Sequence, residues 1–154
     1  MILKFFLYLF TLGLMAGCMG GGTHGSIKSY DYPVSKYVLQ TAISKIILSN
    51  ANIKRDTSKD YYNDGENYIT IKIIGEDIIN EYTFRFYGDK KDWDSSKTSE
   101  IFIAYAFDKE GNGGSDGNGG VKWYKPFLKK KLTGLFEDEF IKKLDKELRV
   151  IHSE

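Results

Sequence analysis

Three aspartates surround Trp93 in a polar stretch, and carboxylates placed this close together can bind a metal ion or act as acid and base. They are Asp89, Asp92 and Asp94. Lysines alternate with them, which is typical of a solvated loop. Of the two histidines, His24 lies in a glycine-rich stretch and His152 lies next to the C-terminus. A rigid catalytic group is hard to build at either place. The sequence therefore predicts neither enzyme activity nor a cofactor.

A second group of oxygen-bearing side chains lies in a glycine-rich loop and could hold a calcium ion. Its candidate ligands are Asp108, Glu110, Asn112 and Asp116. The spacing follows the first half of an EF-hand loop, in which alternate oxygens wrap the ion. The position that needs a bidentate glutamate holds Gly119, and Ser115 stands where an apolar residue is usual. The sequence favours a loop of residues that tolerate positive φ over a calcium site.

Aromatic residues are more numerous than a small core requires, and several of them alternate along predicted strands. The candidates for a binding face are Tyr82, Phe84, Phe86, Tyr105 and Trp123. One interpretation places them in the core and on a half-exposed face of the sheet. The other leaves one sheet face open to a protein or an apolar ligand, because large exposed apolar patches mark interaction sites.

The N-terminus has the composition of an export signal. Lys4 is followed by an uncharged apolar run from Phe5 to Met15, which is too short to cross a membrane as a helix. Ala16 and Gly17 then precede Cys18, the only cysteine. These residues resemble the lipobox of bacterial lipoproteins. The resemblance implies a signal peptide over residues 1–17 and a diacylglycerol attached to the Cys18 thiol, so that the protein is held on a membrane by lipid.

The residues after Cys18 are rich in glycine, and we expect a flexible tether over residues 18–30. Lipoproteins like those of enteric bacteria stay at the inner membrane when aspartate follows the cysteine. Here Met19 follows it. The resemblance therefore implies a cell-envelope protein on the outer membrane, facing the periplasm.

Length and charge limit the remaining classes. The chain has 154 residues, of which 42% are hydrophobic, and this is enough for one domain with a real core. Without Lys4 of the leader, 21 basic residues face 21 acidic ones. A nucleic-acid binder is normally clearly basic on one face, so this balance argues against that role.

Periodicity predicts one α+β domain over residues 31–154. Apolar residues at helical spacing predict a helix over about 34–49. Alternation predicts strands at 68–74 and 79–87, with a short further strand near 53–56 left open. The run at 101–107 is apolar on both faces, which predicts a central strand covered from two sides. The C-terminal stripe of leucines and phenylalanines predicts a short helix and a longer one, separated at Thr133–Gly134. The predicted order is an N-terminal helix, a three-stranded antiparallel meander, and C-terminal helices packed on one sheet face.

Two functions fit these expectations. The first is a protein-binding accessory module of an envelope complex, held by its lipid anchor near a protein partner. The second is a carrier or sensor of an apolar ligand or lipid, bound in a cleft between the sheet and the helices.

Overall fold

Six antiparallel strands and four α-helices make up the part of the chain that a computed structural model describes, residues 27–59, 67–115 and 126–154. The strands are β1 (Ser29–Tyr32), β2 (Ile53–Arg55), β3 (Tyr68–Ile74), β4 (Ile79–Phe86), β5 (Ser99–Phe107) and β6 (Gly113–Gly114). The helices are α1 (Lys36–Ser49), α2 (Lys90–Ser95), α3 (Pro126–Phe136) and α4 (Lys142–Leu148). A 3-10 turn (Thr57–Lys59) follows β2, and a π-helical turn (Glu137–Ile141) joins α3 to α4. The prediction of an α+β fold is confirmed.

The predicted meander forms the centre of the sheet, but the sheet is wider than predicted. The strand order is β1-β5-β4-β3-β2, and β6 pairs with the end of β5. The prediction of a three-stranded sheet is therefore wrong. The additional strands contain between two and four residues each, which is too short to show a clear alternation in the sequence.

The first described element is a strand, so the prediction that a helix comes first is also wrong. β1 lies antiparallel to β5, with Tyr30 opposite Ile101. Tyr30 and Tyr32 are fully buried, and Ile27 before them is 4% exposed. The described fold therefore already includes Ile27 and Tyr30, which lie inside the segment predicted as tether. Cys18 and the predicted leader lie outside the described residues.

Helix α1 forms because its apolar residues recur on one face. Leu39, Ile43 and Ile46 are buried against the sheet. The helix ends at Ser49, and Asn50 caps it: its backbone N–H and side-chain amide both donate to the carbonyl of Ile46, at 3.2 and 2.7 Å. These bonds satisfy a carbonyl that the end of the helix would otherwise leave without a partner.

The C-terminal helices are continuous at the point where a break was predicted. α3 runs through Thr133 and Gly134, and the Thr133 hydroxyl donates to the carbonyl of Lys129 at 2.9 Å, so its polar group is satisfied inside the helix. The irregularity comes later, in the π-helical turn. A wider turn accommodates an extra residue, and here both Phe140 and Ile141 are buried.

One layer of helices covers one face of the sheet and encloses an aromatic core. The ring of Phe136 lies 5.0 Å from that of Tyr82 and 5.1 Å from that of Phe140. The Tyr82 hydroxyl donates to the carbonyl of Leu132 at 2.9 Å, so the polar end of this buried ring has a partner. We call the opposite side of the sheet the outer face.

Candidate binding face on the outer side of the sheet

Three of the five residues predicted for a binding face lie in the core. Tyr82, Phe84 and Phe86 are fully buried beneath the helices. The prediction that they form an exposed face is wrong, because the helices cover the side of the sheet to which they point. Trp123 lies outside the described residues. Tyr105 is the one that the structure places on the outer face, and it is 41% exposed.

A β-bulge puts Tyr105 there. Phe84 lies opposite Ile103, but the preceding residue of β4, Thr83, lies opposite Tyr105, so Ala104 is an extra residue in β5. Because side chains alternate along a strand, one extra residue moves every following side chain to the other face. Ile101 and Ile103 therefore point into the core, whereas Tyr105 and Phe107 point outwards.

The register of the strands defines the rest of the outer face. Residues opposite one another on neighbouring strands share a face, so the outer face carries Lys54, Tyr68, Thr70, Lys72, Glu81, Thr83, Arg85, Phe102, Tyr105 and Phe107. A groove of about 760 Å³ lies along it, and its lining includes Tyr68, Lys72, Glu81, Tyr105 and Phe107. The turns on either side add Lys59 and Lys109. We refer to this feature as the outer-face groove.

The aromatic part of this face is held in place by Arg85. Its guanidinium lies 5.2 Å from the centre of the Tyr68 ring and 5.3 Å from that of Phe102. Arg85 also donates to the Tyr68 hydroxyl at 3.0 Å. Stacking and hydrogen bonding together fix the orientation of these rings, so this part of the face is preformed.

Two ion pairs form the charged side of the groove. The Lys59 ammonium lies 2.7 Å from a carboxylate oxygen of Glu81, and the Lys72 ammonium lies 2.7 Å from one of Asp56. Hydrogen bonds from Lys72 and Ser58 lower the pKa of Asp56 to about 2. Asp56 therefore stays ionised at neutral pH and fixes Lys72 at the rim of the groove.

Asp108 organises its own loop. It accepts hydrogen bonds from the backbone N–H groups of Glu110 and Asn112, at 3.0 and 2.8 Å. Burial alone would raise the pKa of Asp108, but the bonds from Asn112 and Glu110 outweigh it and lower the pKa. Asp116 lies outside the described residues. Among those that the structure describes, no group of three or more His, Cys, Asp and Glu side chains is placed to hold a metal.

The aspartates around Trp93 also have structural roles. Asp89 caps helix α2, where it accepts from the N–H groups of Lys91 and Asp92, and Asp92 bonds back to the N–H of Asp89. This reciprocal pair is a capping box. Asp94 accepts from the Tyr37 hydroxyl at 2.8 Å. The stretch predicted as a loop is thus a short helix, with two carboxylates that cap its N-terminus and a third that contacts Tyr37 of α1.

His152 belongs to a polar cluster that sequence reasoning missed. Its Nδ1 lies 3.0 Å from one carboxylate oxygen of Asp145, and the other oxygen of Asp145 accepts from the Tyr32 hydroxyl at 3.0 Å. Ser153 then pairs with Asp31 through two backbone hydrogen bonds. These contacts hold the C-terminal residues along the edge of β1. Residues more than a hundred positions apart meet here, so no local pattern could have revealed the cluster.

Comparison with known proteins adds no relative: no family model, no curated protein and no solved structure matches the chain. Within the described ranges, none of the helices is both long enough and apolar enough to cross a membrane. The chemistry of the outer-face groove and the sequence pattern of the predicted leader are therefore the features that bear on function.

Proposed function

We propose that this chain is a lipid-anchored protein of the cell envelope that acts as a protein-binding accessory module of an envelope complex, with the outer-face groove as its contact surface. The observation that carries the proposal is Tyr105, which is 41% exposed and lines a preformed groove beside Phe107. Aromatic side chains bring a large apolar area and a polar tip to an interface, and they are enriched at the centres of protein interfaces.

A second candidate is a carrier of an apolar ligand, and the size of the groove favours it. Pockets for small molecules have volumes of about 300–1,000 Å³, and the groove of about 760 Å³ falls in that range. The expected cleft between the sheet and the helices is occupied at its centre by Phe136 and Phe140, which are fully buried. We therefore place the ligand of this second candidate in the outer-face groove.

The lipid anchor is proposed from the leader and has its own test. Cys18→Ala is expected to abolish incorporation of labelled palmitate and to move the protein from the membrane fraction to the soluble fraction, because the thiol is the attachment point. The thermal melting of the domain should stay unchanged, since Cys18 lies in the predicted tether and outside the predicted domain. A variant that stayed on the outer membrane without label would contradict the anchor.

Site-specific photocrosslinking tests the contact surface. A benzoylphenylalanine at position 105, in the full anchored chain in native envelopes, is expected to give one discrete protein adduct that mass spectrometry identifies. The same probe at position 37 is the matched control, because Tyr37 is 49% exposed but lies on helix α1. Equal adducts at both positions, or none at 105, would rule out the proposed surface. An adduct at 105 that contains only a lipid or small molecule would establish the carrier instead.

A further inference from the structure

In both ion pairs of the outer-face groove, the cation is more exposed to solvent than the anion. In the Lys59–Glu81 pair the ammonium side chain is 41% exposed and the carboxylate side chain 15%. In the Lys72–Asp56 pair the values are 39% and 14%. Although each pair is neutral as a whole, an approaching molecule meets the ammonium groups first. At these two ion pairs the groove therefore attracts anions at short range.

A second observation points the same way. Lys54 on β2 lies directly opposite Lys72 on β3, so two like charges share one face of the sheet. Like charges in this position destabilise a sheet. Asp56 contacts Lys72 and offsets part of the repulsion. An anion bound between Lys54 and Lys72 would relieve the remaining repulsion between the two ammonium groups. Binding would therefore be favoured by the removal of a repulsion that is present in the free protein.

The apolar and cationic parts of the groove are adjacent. On β4, Thr83 lies opposite Tyr105 of β5. Glu81, the next residue of β4 on the same face, lies between Phe107 on β5 and Lys72 on β3. An occupant must therefore bring an apolar group and an acidic group about 10 Å apart, because Phe107 and Lys72 are separated by two strand spacings. A polypeptide meets this requirement when an aromatic or aliphatic side chain is followed by Asp or Glu.

We infer that the outer-face groove binds an acidic polypeptide segment, with an apolar side chain packed on Tyr105 and Phe107. Its carboxylates lie at Lys72 in the lining and at Lys54, the residue opposite Lys72 on β2 beside the groove. This inference rests on the proposed function of the groove as a protein contact. The shape favours a peptide over a lipid, because the groove is open to solvent and Tyr105 in its lining is 41% exposed. An acyl chain laid there would keep much of its surface in water, whereas a peptide needs to bury only its anchor side chain.

The test uses the full lipidated chain in neutral detergent and a fluorescent capped hexapeptide of aspartate, glutamate, phenylalanine and leucine. We expect binding that weakens about tenfold in the double variant Lys54→Gln/Lys72→Gln, which removes charge without adding any. Raising the salt from about 50 to about 300 mM should weaken binding to the wild type and have less effect on the variant. Tyr105→Ser is expected to cause a similar loss through the apolar anchor.

Matched controls make the result specific. Lys45→Gln/Lys142→Gln removes two lysines that are also ion-paired, but on the helical layer, and it should bind as the wild type does. A peptide with glutamine and asparagine in place of its acids should bind about tenfold more weakly. Equal binding of this neutral peptide would overturn the inference. The inference would also be overturned if the protein bound phosphatidylglycerol vesicles through the same two lysines and did not bind the acidic peptide.

The inference and the proposed function can fail separately. If the crosslink from position 105 to a protein persists in Lys54→Gln/Lys72→Gln, the contact surface stands and the acidic partner segment is wrong. If the peptide binds with the expected dependence on charge but position 105 yields no protein adduct in envelopes, the peptide chemistry stands and the accessory role is wrong.

Discussion

Phe136→Ala is expected to lower the free energy of unfolding by about 3–5 kcal/mol, the range observed for truncating buried phenylalanines. The side chain is fully buried at the end of α3. Its ring lies within 6.0 Å of four others, those of Tyr30, Tyr82, Phe84 and Phe140. Because the rings come from both the sheet and the helices, the cavity cannot close without moving the two layers relative to each other.

Denaturant titration at neutral pH measures the loss, and the same helix supplies the control. Phe127 is 87% exposed on α3, and Phe127→Ala should change the free energy of unfolding by no more than about 0.5 kcal/mol. If the two substitutions cost the same, the ring cluster around Phe136 does not hold the helices on the sheet.

The long strands could be predicted because each carries its own signal. β3 begins and ends where the alternation of isoleucines does, at Tyr68 and Ile74. β4 and helix α1 differ from prediction by one or two residues at their ends. In these elements apolar and polar residues recur at regular spacing along the sequence, so the periodicity indicates which side faces the core.

The outer face could not be predicted, because it depends on how two strands pair. The sequence of β5 places Ile101, Ile103, Tyr105 and Phe107 on one side of a regular strand. The bulge at Ala104 divides them between the two faces, and it is defined only by the register against β4. Tyr105 is exposed, but it does not share its face with Tyr82, Phe84 and Phe86, with which the sequence groups it. Its actual neighbours on that face include Thr83 and Phe107.

Edges of the fold show the same dependence on distant partners. β1 is a strand because β5 offers it a free edge, and Ser153 in turn pairs with Asp31 on its other side. Nothing in four residues that stand before Pro33 distinguishes a strand from the end of a tether. The ion pairs of the groove likewise join the turn after β2 to β3 and β4. The greater exposure of their cations is therefore set only when the sheet is assembled.

Alkaline pH is expected to unfold the domain, because three buried tyrosines resist ionisation. Burial is the main cause that raises the pKa of Tyr30, Tyr32 and Tyr82 above the usual value of about 10. The negative charges of Glu137 and Asp145 raise the pKa of Tyr30 and Tyr32 further.

The direction of the effect follows from which state releases the protons. In the unfolded chain the three phenols ionise near pH 10, while in the folded protein they stay neutral. Their contribution to stability is thus complete below about pH 10 and is lost as the pH rises above it. Each tyrosine removes about 1.4 kcal/mol per pH unit, so the three together remove about 4 kcal/mol by pH 11. Such a loss is comparable to the whole stability of a marginal domain.

Denaturant titrations between about pH 8 and pH 11, with the tyrosinate absorbance recorded in parallel, measure this dependence. Tyr82→Phe isolates one of the three groups. It should cost about 1 kcal/mol at pH 8, where its hydrogen bond to the carbonyl of Leu132 is lost. It should also reduce the alkaline slope by about a third, since one phenol no longer titrates in the unfolded state. If the three phenols ionised near pH 10 while the domain stayed folded and equally stable, burial would not be what keeps them neutral.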